Sequence, residues 1–306
     1  MPPTSAPALA DQMSVAVPRL PDAQLTALMR AYGDAVAAKR RRFVLGIALF
    51  VVAVFVSAWM GEVALGKFTS NIWRFFAYFG NTIPSMSFAT LWADLAEWFW
   101  GLKRWLRLLG DTILIAYVGT LIGLVGGFCL SFLASANLVK SGWVVFTARR
   151  TLEFCRTVPE IVFALVFVLA YGLGPLPGVL AIAIHTTGAL GKLFAEVVEN
   201  IDQKPLDGVA SSGGNWFERI RFAVLPQVLS NFVSYTLLRF EINVRGAAVM
   251  GFVGAGGIGQ DLIEAVRKFY YTDVSAILIL VIITVMIIDQ LTERVRHALI
   301  GMEARS

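Results

Sequence analysis

The chain has 306 residues, 57% of them apolar and only 15% charged, with 26 Lys and Arg against 21 Asp and Glu for a net charge of +5. A soluble domain runs near about 50% apolar and about 25% charged, so this composition argues against a soluble enzyme, a disordered chain and a free nucleic-acid-binding domain. It points to an all-α polytopic membrane protein in a lipid bilayer, where the excess cations report orientation rather than nucleic acid.

Residues 1–42 show no cleavable leader pattern, being mixed polar and ending in Lys39-Arg40-Arg41-Arg42 before an apolar run too long for a signal core. Pro21 and Asp22 open a helix whose Leu25, Leu28, Met29, Tyr32 and Val36 recur at helical spacing, which predicts a cytoplasmic amphipathic segment lying on the membrane or a partner. A span needs about 20 apolar residues to cross a hydrocarbon core of about 30 Å. Six stretches approach this: 43–65, 111–134, 159–173, 177–198, 226–249 and 274–288, the short third one extending back toward Glu153. Residues 66–109 are expected to form an external linker. Its Leu91, Leu95, Trp98, Leu102, Trp105 and Leu109, with Lys103, Arg104 and Arg107 between them, predict one interfacial helix. Six spans place both termini, including the tail 298–306, on one side. Taking that side as the cytoplasm of a bacterial inner membrane puts most basic residues inside. Cys129 and Cys155 lack both a disulfide framework and metal-ligand spacing and read as packing residues.

By parity the polar stretch 200–226 follows the fourth span into the cytoplasm. It contains Asp207-Gly208-Val209, then Gly213-Gly214, then Leu225-Pro226. A short helix pair turned at Gly213 and ended by Pro226 can act as a rigid knob, with Trp216 and Phe217 as apolar docking area and Arg219 and Arg221 at its rim; an ordinary solvated helical hairpin between spans is the alternative. Gly254, Gly256, Gly257 and Gly259 formally match G-x-G-x-x-G, but they lie between two spans with no dinucleotide-fold context. The run instead predicts sharp non-helical backbone near an outer gate. Gly188-Ala-Leu-Gly191-Lys192-Leu193 lacks the first glycine and the Ser/Thr of a P-loop, so no ATP site is expected in this chain.

Ionisable side chains at membrane depth cost about 3 kcal/mol each on insertion scales, so they pair with one another or line a polar path. The candidates are Arg156, Glu160, His185, Lys192, Glu196, Arg239, Glu241 and Arg245. Lys192 and Glu196 stand at i,i+4 and can satisfy each other. Arg239 and Arg245 put two positive charges in one span with only Glu241 between, which suits passage of a tetrahedral oxyanion because a guanidinium grips such oxygens bidentately. Salt bridging between spans is the alternative.

The segment 200–226 resembles the cytoplasmic coupling loop of ABC importer permeases, with Asp207, Gly208 and Val209 where that superfamily carries Glu-Ala-Ala. The surrounding blocks resemble the phosphonate importer permease: Arg156-Thr-Val-Pro-Glu160, Gly172-Leu-Gly-Pro175, residues 185–196, Leu225-Pro-Gln227, 239–245 and 254–260. The resemblance spans roughly 90–297 and implies a type I permease domain over 110–297. It further implies ATPase subunits that bind ATP and Mg, an extracytoplasmic phosphonate-binding protein, a second permease copy forming a dimer, and no cofactor or catalytic residue in this chain. An ion-coupled secondary transporter is the alternative, and a membrane enzyme using Glu160, His185 and Glu196 is a third reading.

Overall fold

The computed structural model of the chain describes residues 21–62 and 65–303, and every regular element among them is helical. Residues 1–20 of the expected amphipathic segment, positions 63–64 of the expected first span and the last three residues of the tail lie outside the described residues. The chain divides into two compact units, one up to Arg74 and one from Phe75 onward.

In the first unit, α1 (Asp22–Met60) is a single helix of 39 residues with none buried. The sequence predicted a surface segment and a separate span. The junction runs through Ala37, Ala38, Lys39 and Arg40 to Arg42, all strong helix formers with no Gly or Pro, so nothing interrupts the backbone hydrogen bonds there. The helix stops at Gly61, whose N–H donates to the Ser57 carbonyl (2.8 Å). A second helix, α2 (Leu65–Thr82), follows.

The second unit begins its packed core with α3 (Leu91–Trp98) and α4 (Leu102–Ala134). The predicted interfacial helix over 91–109 is thus two pieces. The chain breaks at Phe99–Gly101, and everything from Leu102 joins the following span, so Trp105 and Leu109 are buried in the core rather than resting at an interface. Trp98 Nε1 anchors the turn by donating to the Thr272 carbonyl (3.1 Å) and Ser275 Oγ (3.1 Å).

Next come α5 (Gly142–Thr157) and α6 (Glu160–Tyr171), which meet at an angle of 85°. The expected straight third span is therefore a bent pair. Pro159 has no N–H to continue the helix and forces Val158 into extended backbone (ψ 123°). Helix α7 (Pro175–Glu199) packs along α4 at very close range, because Gly119, Gly123 and Gly127 form a small-residue stripe on α4. A β-carbon at Gly123 would lie 2.5 Å from Thr186 Cβ and 2.9 Å from the Ala183 carbonyl oxygen, so only glycine allows this approach.

Two short helices, α8 (Gln203–Ser211) and α9 (Trp216–Glu218), and a π-helical turn (Arg219–Val224) lead into α10 (Leu225–Met250). Then α11 (Gly259–Arg267) and α12 (Tyr271–Glu303) complete the chain. Among the described residues α1, α4, α7 and α12 are long and apolar enough to cross a membrane, and the bent α5–α6 pair makes a fifth if taken as one span. Helix α10, expected as a span over 226–249, has 26 residues and the length to cross, but Asn231, Arg239, Glu241, Asn243 and Arg245 keep it out of the apolar set.

Candidate functional site

Three features of the second unit carry chemistry: the segment 200–226, a set of charges among the long helices, and a glycine-rich loop at the opposite end of α7 and α10.

The segment 200–226 is fastened at its base. Asp202 caps α8 by accepting from the Lys204 N–H (3.1 Å). Leu206 is buried and joins Phe194, Val198, Ile220, Val224 and Phe232 in one apolar cluster, where the Phe194 and Phe232 rings stack at 3.8 Å. Gly213 (φ 84°) makes the turn, as the spacing predicted. Asn215 and Glu218 form a reciprocal capping box at 3.0 and 2.7 Å that defines α9. Pro226 does not end this segment. It sits in the first turn of α10, and the π-helical turn before it widens the backbone where the proline ring would otherwise press on the Phe222 carbonyl. Asp207 and Gly208 are exposed and Phe217 is 75% exposed, whereas Trp216 and Leu225 are half-buried. Arg219 has its Nε buried with no acceptor.

The charges fall into separate groups. Six residues along a helix is about 600° of rotation, which leaves Arg239 and Arg245 on different faces of α10. Arg239 shares its electrostatic neighbourhood with Glu160 in the first turn of α6 and with His185 of α7. His185 Nδ1 donates to the Val158 carbonyl (3.1 Å), holding the bend between α5 and α6. Arg245 instead pairs with Glu241, one turn back, and lies 3.5 Å from Asp289 of α12. Arg245 therefore already pairs with carboxylates, whereas Arg239 makes no direct ion pair among the described residues and its Nε is buried with no acceptor. Lys192 and Glu196 do pair with each other (3.5 Å), and Arg156 is exposed near the end of α5. Cys129 is exposed rather than packed inside the chain, and Cys155 is half-buried; neither is in a disulfide.

Two participants were missed in the sequence. Asp289 is one residue past the last expected span, and its place after an unbroken apolar run was the signal. Asn243 is fully buried and donates to Thr120 Oγ1 (2.8 Å) and Thr186 Oγ1 (2.9 Å), tying α10 to α4 and α7 while its Oδ1 has no partner. It is uncharged, so a search confined to ionisable groups passed over it.

In the glycine loop, Gly254, Gly256 and Gly257 all have φ near +80° (82°, 88° and 79°), and Gly259 begins α11. The loop is held by backbone: the Gly174 N–H donates to the Gly254 carbonyl (3.0 Å), and the Ile258 N–H donates to Thr112 Oγ1 (2.9 Å). A β-carbon on Gly257 would meet Thr112 Oγ1 at 2.5 Å. The sharp non-helical backbone expected here is present.

The second unit thus combines a glycine-packed helix core, a bent helix pair and a short helical segment standing between two long helices. The same fold is found in a chain of the methionine ABC transporter MetNI solved in inward-facing conformations, with a TM-score of 0.56 and 19% identity over 70% of this chain and 99% of that one. The family described as binding-protein-dependent transport system inner membrane component matches residues 127–299, and this chain belongs to it. A phosphite transport system permease, PtxC of Stutzerimonas stutzeri, is 38% identical over 68% of this chain and 76% of its own length. A protein of Escherichia coli assigned as a cryptic phosphonate transport system permease, PhnE2, is 50% identical over 38% of this chain and 96% of its own. Membership in this family sets aside the ion-coupled secondary transporter.

Proposed function

We propose that this chain forms half of the membrane pathway of an ATP-driven importer for phosphorus oxyanions, phosphonates and phosphite among them. A second copy supplies the other half, two separate ATPase subunits drive it, and an extracytoplasmic binding protein delivers the substrate. Six basic residues ahead of the apolar run that starts at Phe43 (Arg19, Arg30 and Lys39 to Arg42), with Lys204, Arg219 and Arg221 in 200–226, favour a cytoplasmic location for both termini. The observation that carries the reading is the fastened, outward-standing segment 200–226. Its exposed Phe217 and Asp207, and the unpaired Nε of Arg219, suit a socket on a partner protein better than free solution. A subunit without a nucleotide site needs such a mechanical input.

The substrate class rests on the names of the relatives and on the two guanidinium groups of α10. Arg245 pairs with Glu241 and lies near Asp289, so an oxyanion passing it competes with them, while Arg239, with Glu160 as its charged neighbour, keeps a buried Nε free to donate. That arrangement favours transit over retention and leaves affinity to the binding protein. Glu160, His185, Glu241 and the flanking Arg156, Lys192 and Glu196 line or brace this path, and the loop at Gly254, Gly256, Gly257 and Gly259 closes its outer end. Vesicles containing the complete transporter should accumulate 2-aminoethylphosphonate or phosphite only with ATP, and vesicles without this subunit should not. Uptake unchanged by its omission would refute the assignment. Replacing Arg239 or Arg245 by Ala should lower uptake; wild-type rates of both uptake and substrate-stimulated ATP hydrolysis in both variants would remove them from the path.

A further inference from the structure

The end of α7 that leads into the segment 200–226 is cross-linked to α5 and to the end of α4 by a small polar network. Arg149, in the middle of α5, donates through Nε to the Ala134 carbonyl at the end of α4 (2.9 Å) and through Nη2 to Glu199 Oε1 at the end of α7 (2.5 Å). The same Glu199 oxygen accepts the Ala136 N–H (2.7 Å), and one residue along Asn137 Nδ2 donates to the Val198 carbonyl (2.8 Å). One guanidinium thus binds the ends of two long helices to the body of a third.

Stability alone does not account for this arrangement. Arg149 and Glu199 are 44% and 31% exposed, a setting in which an ion pair contributes little. Glu199 is the last residue of α7, where the helix dipole disfavours a carboxylate. A charge at the unfavourable end of its helix, satisfied only by groups from α5 and the α4–α5 turn, is placed for the link it makes. Arg149 is better placed electrostatically, since it satisfies a terminal carbonyl of α4. Beside the link lies a cavity of about 260 Å³ lined in part by Glu153, Lys192 and Glu196, next to the apolar contact of Ala148 and Leu152 of α5 with Ala195 of α7, so the link is the polar tie that reinforces this packing at the very end of α7.

We propose that Arg149 and Glu199 are positioning residues that form the strut through which displacement of the segment 200–226 reaches the bent α5–α6 pair. The proposal rests on the importer reading. A movement of α8 and its buried Leu206 pulls on the end of α7; the Glu199–Arg149 link passes it to α5. The bend at Val158, braced by His185, then carries it to α6 and Glu160, beside Arg239. Neither residue touches nucleotide or substrate, so their loss should uncouple the machine without removing its ATPase activity.

The test uses the complete transporter in vesicles, with phosphite or 2-aminoethylphosphonate as substrate, and measures uptake and ATP hydrolysis on the same preparation. R149A and E199Q should each lower the amount transported per ATP by about tenfold, toward the lower end of the range for coupling between distant sites. R149K, which keeps the charge but not the two-pronged reach, should fall between R149A and wild type. R150A is the matched control: Arg150 is adjacent on α5 but pairs only within its own helix, with Glu153, and should match wild type. Wild-type transport per ATP in both R149A and E199Q would overturn the strut. So would an equal fall in R150A, or uptake and hydrolysis falling together in step with loss of folded protein. Absence of ATP-driven uptake in the wild-type vesicles would instead strike at the importer reading itself.

Discussion

At one end of α7 and α10 the chain is held by aromatic and charged side chains, and at the other by close glycine backbone set among buried Met250, Ala255 and Ile258. Near Glu199 and Leu225 the stacked Phe194 and Phe232, the buried Leu206, the Asn215–Glu218 capping box and the Arg149–Glu199 link fill the space between helices. Near Pro175 and Met250, glycines at 254, 256 and 257 bring backbone against backbone, with the Gly174–Gly254 hydrogen bond and the Thr112 hydroxyl as the main polar ties. A joint filled by side chains moves as a block, whereas a joint of glycine backbone separates by breaking a few hydrogen bonds. The first suits transmission and the second suits opening and closing.

The contrast can be broken in opposite ways: the side-chain end should fail by truncation and the backbone end by addition. Phe194→Ala removes a fully buried ring and should cost about 3 kcal/mol, read as a fall in the thermal unfolding midpoint of the purified protein in detergent. Gly257→Val adds a side chain at positive φ against Thr112 and should cost about 2 kcal/mol in the same assay. Thr112→Val leaves the buried Ile258 N–H without its acceptor, an expected loss of about 1 kcal/mol. Asn215→Ala breaks the capping box on an exposed turn and should cost about 0.5 kcal/mol, seen as faster proteolysis between α8 and α9. Leu173→Ala, a truncation at the backbone end where the side chain is 76% exposed, should change the midpoint by less than about 0.5 kcal/mol. If it matched Phe194→Ala, the distinction between the two ends would not hold.

Much of this was legible in the chain itself. The apolar runs gave away α4, α7 and α12, and the glycines at 213 and 254–257 marked the two turns, because both signals are local: length of apolar sequence and tolerance of positive φ. What escaped depends on partners remote in sequence. Pro159 was visible, yet that the chain turns through 85° there reflects His185, 27 residues on, holding the Val158 carbonyl. The split of the predicted interfacial helix at Phe99–Gly101 follows from Trp98 reaching Thr272 and Ser275. The Gly119, Gly123 and Gly127 stripe drew no notice in the sequence and acquires meaning only with α7 lying against it. In the charged core, counting arginines along α10 suggested one cationic strip, and the helical rotation between 239 and 245 divides it into two separate groups, of which only Arg245 is ion-paired among the described residues.

The unbroken course of α1 has a mechanical corollary. Thirty-nine residues at about 1.5 Å each make a rod of about 58 Å, nearly twice the hydrocarbon thickness of about 30 Å. Were its apolar half from Phe43 onward immersed, the half bearing Arg30 and Lys39 to Arg42 would extend beyond the hydrocarbon with no joint between the two. A tilt of the immersed half by about 10° sweeps the far tip sideways by about 5 Å, so lipid thickness and packing around this one helix are translated into displacement well outside the bilayer.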